Sequence, residues 1–123
     1  AIVPDYALGA HVAPLGLVAV AAGPLTAALT AARAPAKTPM QGMFVGLHGS
    51  WNRRPHAGYK VVYVAFDGNK PVGLPHDVLT GFVNADGKAF GRPVGVAIDG
   101  RGALLVADDV GNMVWRVTPM GPR

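Results

Sequence analysis

Short apolar runs alternate with breaks rich in glycine, proline and aspartate along the whole chain. Near the carboxy-terminal end, Val94, Val96 and Ile98 alternate with Gly95 and Ala97, the period of a strand with two different faces. Asp99-Gly100-Arg101-Gly102 then reverses the chain into the apolar run Ala103 to Ala107. Asp108 to Asn112 turns it again, and Met113 to Val117 follows with Trp115 and Arg116. The stretch Gly91 to Val117 therefore predicts an antiparallel meander of the kind that forms one propeller blade.

Upstream, Ala1 to Pro14 is broken by Pro4, Gly9 and Pro14 and reads as a loop leading into a strand over Leu15 to Val20. Pro24 to Arg33 predicts a short helix, with proline in its first turn, Leu25 and Leu29 on one face, and Pro35 and Pro39 to end it. Strand character returns over Gln41 to His48, followed by the polar loop Gly49 to Pro55. Tyr59 to Phe66 is the strongest strand. Val61, Tyr63 and Ala65 face one way and Val62, Val64 and Phe66 the other, so both faces are apolar, which suits a strand with a sheet on either side. Asp67 to Pro71 reads as a turn, Val78 to Val83 as another strand, and Asp86-Gly87 as the next turn; Trp115 is assigned to the core.

Composition supports many short strands. Seventeen glycines and eleven prolines among 123 residues disfavour long helices. The formal charge is +4, but the basic residues are scattered, with Arg53-Arg54 the single doublet and no stripe of interleaved aromatics, so nucleic acid is not an expected partner. Anionic small molecules fit better. With no cysteine, disulfides, thiolate metal sites and cysteine nucleophiles are all excluded. Val12 to Ala32 carries no charge, yet Pro14, Gly16, Gly23 and Pro24 interrupt it, which argues against a membrane span. Ala1 to Asp5 lacks the basic start of a signal peptide, and the chain reads as beginning partway through a domain.

The runs HVAPLGL at His11, MFVGLHGSWNRRPHAGYKVVYV from Met43, VLTGF at Val78 and GRPVGVAIDGRGALLVADDVGNMVWRV from Gly91 resemble the carboxy-terminal part of the glucose/sorbosone dehydrogenases. The resemblance implies an all-β fold: antiparallel four-stranded blades of a six-bladed β-propeller, about two of them present, forming one partial domain over residues 1–123. It implies pyrroloquinoline quinone (PQQ) as cofactor, a sugar as substrate, and a periplasmic or secreted location. The family's sugar-oxidising histidine would lie outside this chain, so no catalytic residue is assigned. Residues 18–40 depart from the family, as an Ala/Pro-rich insertion, a divergent loop or the product of a shifted frame.

A cofactor with three carboxylates needs cations and forked donors. By resemblance, Ser50, Asn52 and Arg53 stand in the loop that supplies one such contact, where related enzymes can carry lysine. Arg92, before the Val94 strand, is the second candidate, against a solvated arginine at a strand start. His11 and Ala13 occupy the loop that would close over the cofactor edge, against a turn-capping role for His11. His48, at a strand end, could face the same channel, while His56 and His76 are expected in solvent-facing loops. Trp51 could stack on a planar cofactor or a sugar, or pack between blades. Asp108 and Asp109, being adjacent on a strand, point apart and read as turn residues. No histidine pair has metal-ligand spacing, so no metal is expected.

Two readings follow. The first is a fragment of a quinone-dependent sugar dehydrogenase that helps hold the cofactor and is inactive alone. The alternative is a non-enzymatic propeller fragment whose open strand edges assemble into a homo-oligomeric ring.

Overall fold

The computed structural model describes residues 2–30 and 41–120. In chain order the elements are β1 (Pro14–Val20), α1 (Pro24–Thr30), β2 (Gly42–Leu47), β3 (Lys60–Asp67), β4 (Lys70–Leu79), β5 (Pro93–Ile98), β6 (Leu104–Asp108) and β7 (Met113–Val117). The end of the predicted helix, with Pro35 and Pro39, lies outside the described residues.

Strands β1 to β4 form one antiparallel sheet in sequence order, and β5 to β7 form a second. This corrects the propeller expectation. The described residues build two separate sheets, of four and of three strands, and no ring closes. The described part of the uncharged stretch from Val12, up to Thr30, holds a strand and a helix of seven residues each, and no helix among the described residues is long and apolar enough to cross a membrane.

The two sheets share a core. Phe44, Val61, Tyr63 and Ala65 from the first meet Leu104 and Val106 from the second, and Leu25 of α1 closes the cluster. The opposite face of β2 and β3 buries Val45, Leu47 and Val62 with Val12. Burial on both faces of β3 follows from its unbroken apolar run: Val61, Val62, Tyr63, Val64 and Ala65 are all 4% exposed or less. Where β1 and β2 cross β5, Gly16 and Gly46 lie against the carbonyl oxygen of Val94, an approach that any side chain would block.

Strand β4 differs from expectation. The sequence suggests a turn through Pro71 and a strand over Val78 to Val83, whereas the strand starts at Lys70 and ends at Leu79. Its position explains this, because β4 is the sheet's edge and an edge strand tolerates prolines that lack a ladder donor. Shifts of register opposite Val61/Val62 and Tyr63/Ala65 absorb the irregular stretch around Gly73. Trp115 is also corrected: it is 38% exposed, with its ring 6.2 Å from that of Phe82.

Candidate functional site

Five chain segments converge at one end of the sheets: the entry to β1, the exit of β2, the entry to β3, the entry to β5 and the exit of β6. The β1–β2 ladder continues past the strands, with His48 N–H donating to Ala13 O and Gly49 N–H to Val12 O, both at 2.9 Å. Ser50 is then buried, its N–H donating to Ala57 O at 2.8 Å and its Oγ accepting from Ala57 N–H at 3.0 Å. The Tyr59 hydroxyl donates to Ser50 O, and the Tyr59 ring fills the space that a Cβ on Gly49 would need.

Arg92 crosses from the second sheet into this end. Its Nε donates to His48 O at 2.9 Å and its Nη2 to Gly49 O at 2.8 Å, while the guanidinium carbon lies 4.9 Å from the centre of the Tyr59 ring. Its own N–H donates to Asp108 Oδ1 at 2.8 Å. Asp108 Oδ1 also accepts from the N–H groups of Val110 (3.2 Å) and Gly111 (2.8 Å), and Oδ2 accepts from Trp115 Nε1 at 3.1 Å. Burial by itself raises the pKa of Asp108, but these donors outweigh it and hold the carboxyl below its ordinary value. Asp108 is thus the organiser of the β6–β7 turn, as its spacing suggests, and it is consumed by that task.

Asp109 points the other way. His48 Nε2 lies 3.1 Å from both Asp109 oxygens, joining the exits of β2 and β6 across 61 residues of sequence. The His48 side chain is 19% exposed and that of Asp109 56%, so the carboxylate reaches solvent while the imidazole backs it. The anionic partner favours the tautomer with the proton on Nε2. Asp109 also borders a shallow depression of about 380 Å³ with Val94, Asn112 and Met113.

Most of the sequence-predicted residues come to this end. Ala13 holds His48, and His11 is exposed two residues earlier; both have positive φ, at 49° and 62°. Arg53 Nη1 donates to Ala10 O at 3.1 Å, Asn52 is exposed, and Trp51 is 82% exposed. Two histidines are less solvent-facing than expected: the Nδ1 atoms of His56 and His76 are buried, and their rings lie 5.1 Å from Tyr59 and 5.9 Å from Tyr63. The sequence reading misses Tyr59 and the His48–Asp109 pair. Its only signals for them are a histidine at a strand end and a doublet of aspartates at a turn.

The TrAA12-like family model matches residues 1–120. An uncharacterized protein of Borreliella burgdorferi is 34% identical over 113 residues, covering 91% of this chain and 27% of that protein. Among solved structures, the holo form of the PQQ domain of a pyranose dehydrogenase from Coprinopsis cinerea aligns with a TM-score of 0.57 at 30% identity, over 85% of this chain and 26% of that one. The iodide structure of a Trichoderma reesei protein of carbohydrate-active enzymes family AA12 aligns with a TM-score of 0.56 at 24% identity, over 64% and 22%. The chain therefore spans about a quarter of the length of the proteins it matches.

These matches correct the glucose/sorbosone dehydrogenase resemblance, since the matching model is TrAA12-like. The quinone-dependent dehydrogenase reading and the ring-closing homo-oligomer both rest on that resemblance and on a propeller, and they fall with them. PQQ as cofactor and partner loses its footing here too, on the residues nominated to hold it. The Nε–Nη2 edge of Arg92 is spent on two backbone carbonyls, Arg53 is turned to Ala10, and Ser50 is buried in its own turn. The cofactor bound in the C. cinerea domain is a property of that domain. No cluster among the described residues has the side chains to hold a metal ion.

Proposed function

We propose that this chain, which belongs to the TrAA12-like family, forms part of a carbohydrate-active oxidoreductase, and that the end of the sheets carrying His48, Asp109 and Trp51 binds a pyranose. The observation that carries the reading is the His48–Asp109 pair. A carboxylate has about four acceptor positions, and the single imidazole Nε2 is shared between the two Asp109 oxygens, which leaves each with further lone pairs. The remaining lone pairs face solvent and suit the hydroxyls of a sugar, in charge-assisted hydrogen bonds that need no metal. His48 is itself locked, through its N–H to Ala13 and its carbonyl from Arg92, so the carboxylate is presented in a defined orientation. The exposed indole of Trp51, beside the buried Ser50, offers an apolar face for a sugar ring. The sugar class and the oxidoreductase reaction come from the pyranose dehydrogenase of C. cinerea, at 30% identity.

Calorimetric titration with methyl glycosides of several pyranoses tests this. Asp109→Asn keeps the shape and removes the charge, and is expected to weaken binding about tenfold, the loss of a charged hydrogen bond. Equal affinity of the variant and the natural chain would reject Asp109 as the sugar contact.

A further inference from the structure

We propose that Asp67 is a site of spontaneous backbone modification, converting to isoaspartate through a cyclic imide with Gly68, and that the fold directs this chemistry to the β3–β4 turn. The reaction favours an aspartate followed by glycine, whose lack of a Cβ lets the backbone nitrogen close on the carboxyl carbon. The chain has three such dipeptides, Asp67-Gly68, Asp86-Gly87 and Asp99-Gly100, all at turns. The structure separates them. The Asp99 carboxylate is held: Oδ1 accepts from the N–H groups of Arg101 and Ala103, both at 2.9 Å, and Oδ2 from Arg116 at 2.6 Å. At Asp86 the attacking atom is held instead, since the N–H of Gly87 donates to Asn84 O at 3.0 Å. Asp67 is exposed, its carboxylate makes no hydrogen bond or ion pair with any described residue, and the N–H of Gly68 has no acceptor among them. The space beside Gly68 is open as well, because a Cβ there would meet nothing within 4 Å.

In the reaction the Gly68 nitrogen attacks Cγ of the protonated Asp67 carboxyl. The N–Cγ bond forms, and the amide proton leaves with the carboxyl hydroxyl as water. Water then opens the imide at either carbonyl. Opening at Cγ returns aspartate, whereas opening at the α-carbonyl routes the main chain through Cγ, with an added methylene and a free α-carboxylate. The net change is an isomerisation that needs no oxidant or other reactant. Its place in the fold gives it a consequence. Asp67 pairs with Lys70 as the last rung of the β3–β4 ladder, and Gly68 O accepts from Gln41 Nε2 at 2.7 Å. The lengthened backbone misaligns both, so isoaspartate at this position unlocks the start of β4, the edge of its sheet.

Releasing a group from one ordinary hydrogen bond costs a factor of about five, so Asp67 is expected to react about fivefold faster than Asp86, with Asp99 slower still. The test incubates the 123-residue chain at about pH 5, where it stays folded and a small share of each free carboxyl is protonated. Digestion with a protease that cuts before aspartate but not before isoaspartate, read by mass spectrometry, follows each site. Isoaspartate is expected to accumulate first at Asp67 in the folded chain, and the three rates to converge in urea, where the hydrogen bonds at Asp86 and Asp99 are gone. Gly68→Ala is expected to slow the reaction at Asp67 severalfold, because the added Cβ crowds the attacking nitrogen. Equal rates at the three sites in the folded chain would overturn the proposal. So would an excess at Asp67 that persists in urea, which would assign it to local sequence, or a rate unchanged in Gly68→Ala, which would reject the imide.

Discussion

Arg92 Nε donates to the backbone carbonyl of His48 at 2.9 Å, and this bond ties the first strand of the second sheet to the exit of β2 in the first. With Nη2 on Gly49 O and Tyr59 beneath the guanidinium, one side chain fixes both the loop after β2 and the imidazole that backs Asp109. Arg92→Lys retains the charge but cannot span two carbonyls with a planar fork. It is expected to lower unfolding free energy by about 2 kcal/mol, the scale of a lost hydrogen bond to a charged group. Urea denaturation checks this, and the variant should also bind pyranoses more weakly because His48 is no longer held.

Stability toward acid depends on the β6–β7 turn. The folded pKa of Asp108 lies below its ordinary value of 3.8, burial opposing but backbone N–H donors and the Trp115 indole prevailing. Asp99 is lowered as well, by the N–H groups of Ala103 and Arg101 first, with Arg116 adding to them. A carboxyl with a depressed folded pKa contributes stability that is fully present above the unfolded value and is lost as the pH falls through the folded one. Unfolding midpoints should therefore be flat near neutrality and drop below about pH 4. Asp108→Asn should cost about 2 kcal/mol near neutral pH, with the difference from the natural chain narrowing as the pH falls.

The sheets approach each other through backbone. Gly16 and Gly46 face the carbonyl oxygen of Val94, and a carbonyl in a paired strand cannot move aside as a flexible side chain would. Gly46→Ala is expected to destabilise by about 3 kcal/mol, the upper range for overpacking, and to expose the shared core. Thermal unfolding followed by circular dichroism would register it. Gly68→Ala, where a Cβ meets nothing within 4 Å but φ is +61°, should cost much less.

The strands were legible wherever alternation was clean. The pattern at Val94, Val96 and Ile98 matches β5, and the runs Ala103 to Ala107 and Met113 to Val117 match β6 and β7 within a residue at each end. Strand β4 was not legible, because Pro71, Gly73 and Pro75 carry turn chemistry and only an edge position in a sheet makes them acceptable. Trp115 looks like a core residue in the sequence, but its indole N–H is drawn toward the Asp108 carboxylate, which keeps the ring at the rim. The family and the two propeller blades were read wrongly from local runs, since the way one sheet packs on the other is not encoded in strand periodicity. The candidate site was half visible. His11, Ala13, Ser50, Asn52, Arg53 and Arg92 gather at one end, but the pairing of His48 with Asp109 depends on two strand exits meeting in space.

Amide chemical-shift mapping with a pyranose titrated into the chain tests whether the end of the sheets carrying His48 and Asp109 binds the sugar. Shifts are expected to concentrate at His48, Trp51 and Asp109, with the far ends of β2 and β6 unmoved, and to disappear in Asp109→Asn. Shifts centred elsewhere, or none at saturating sugar, would contradict binding there.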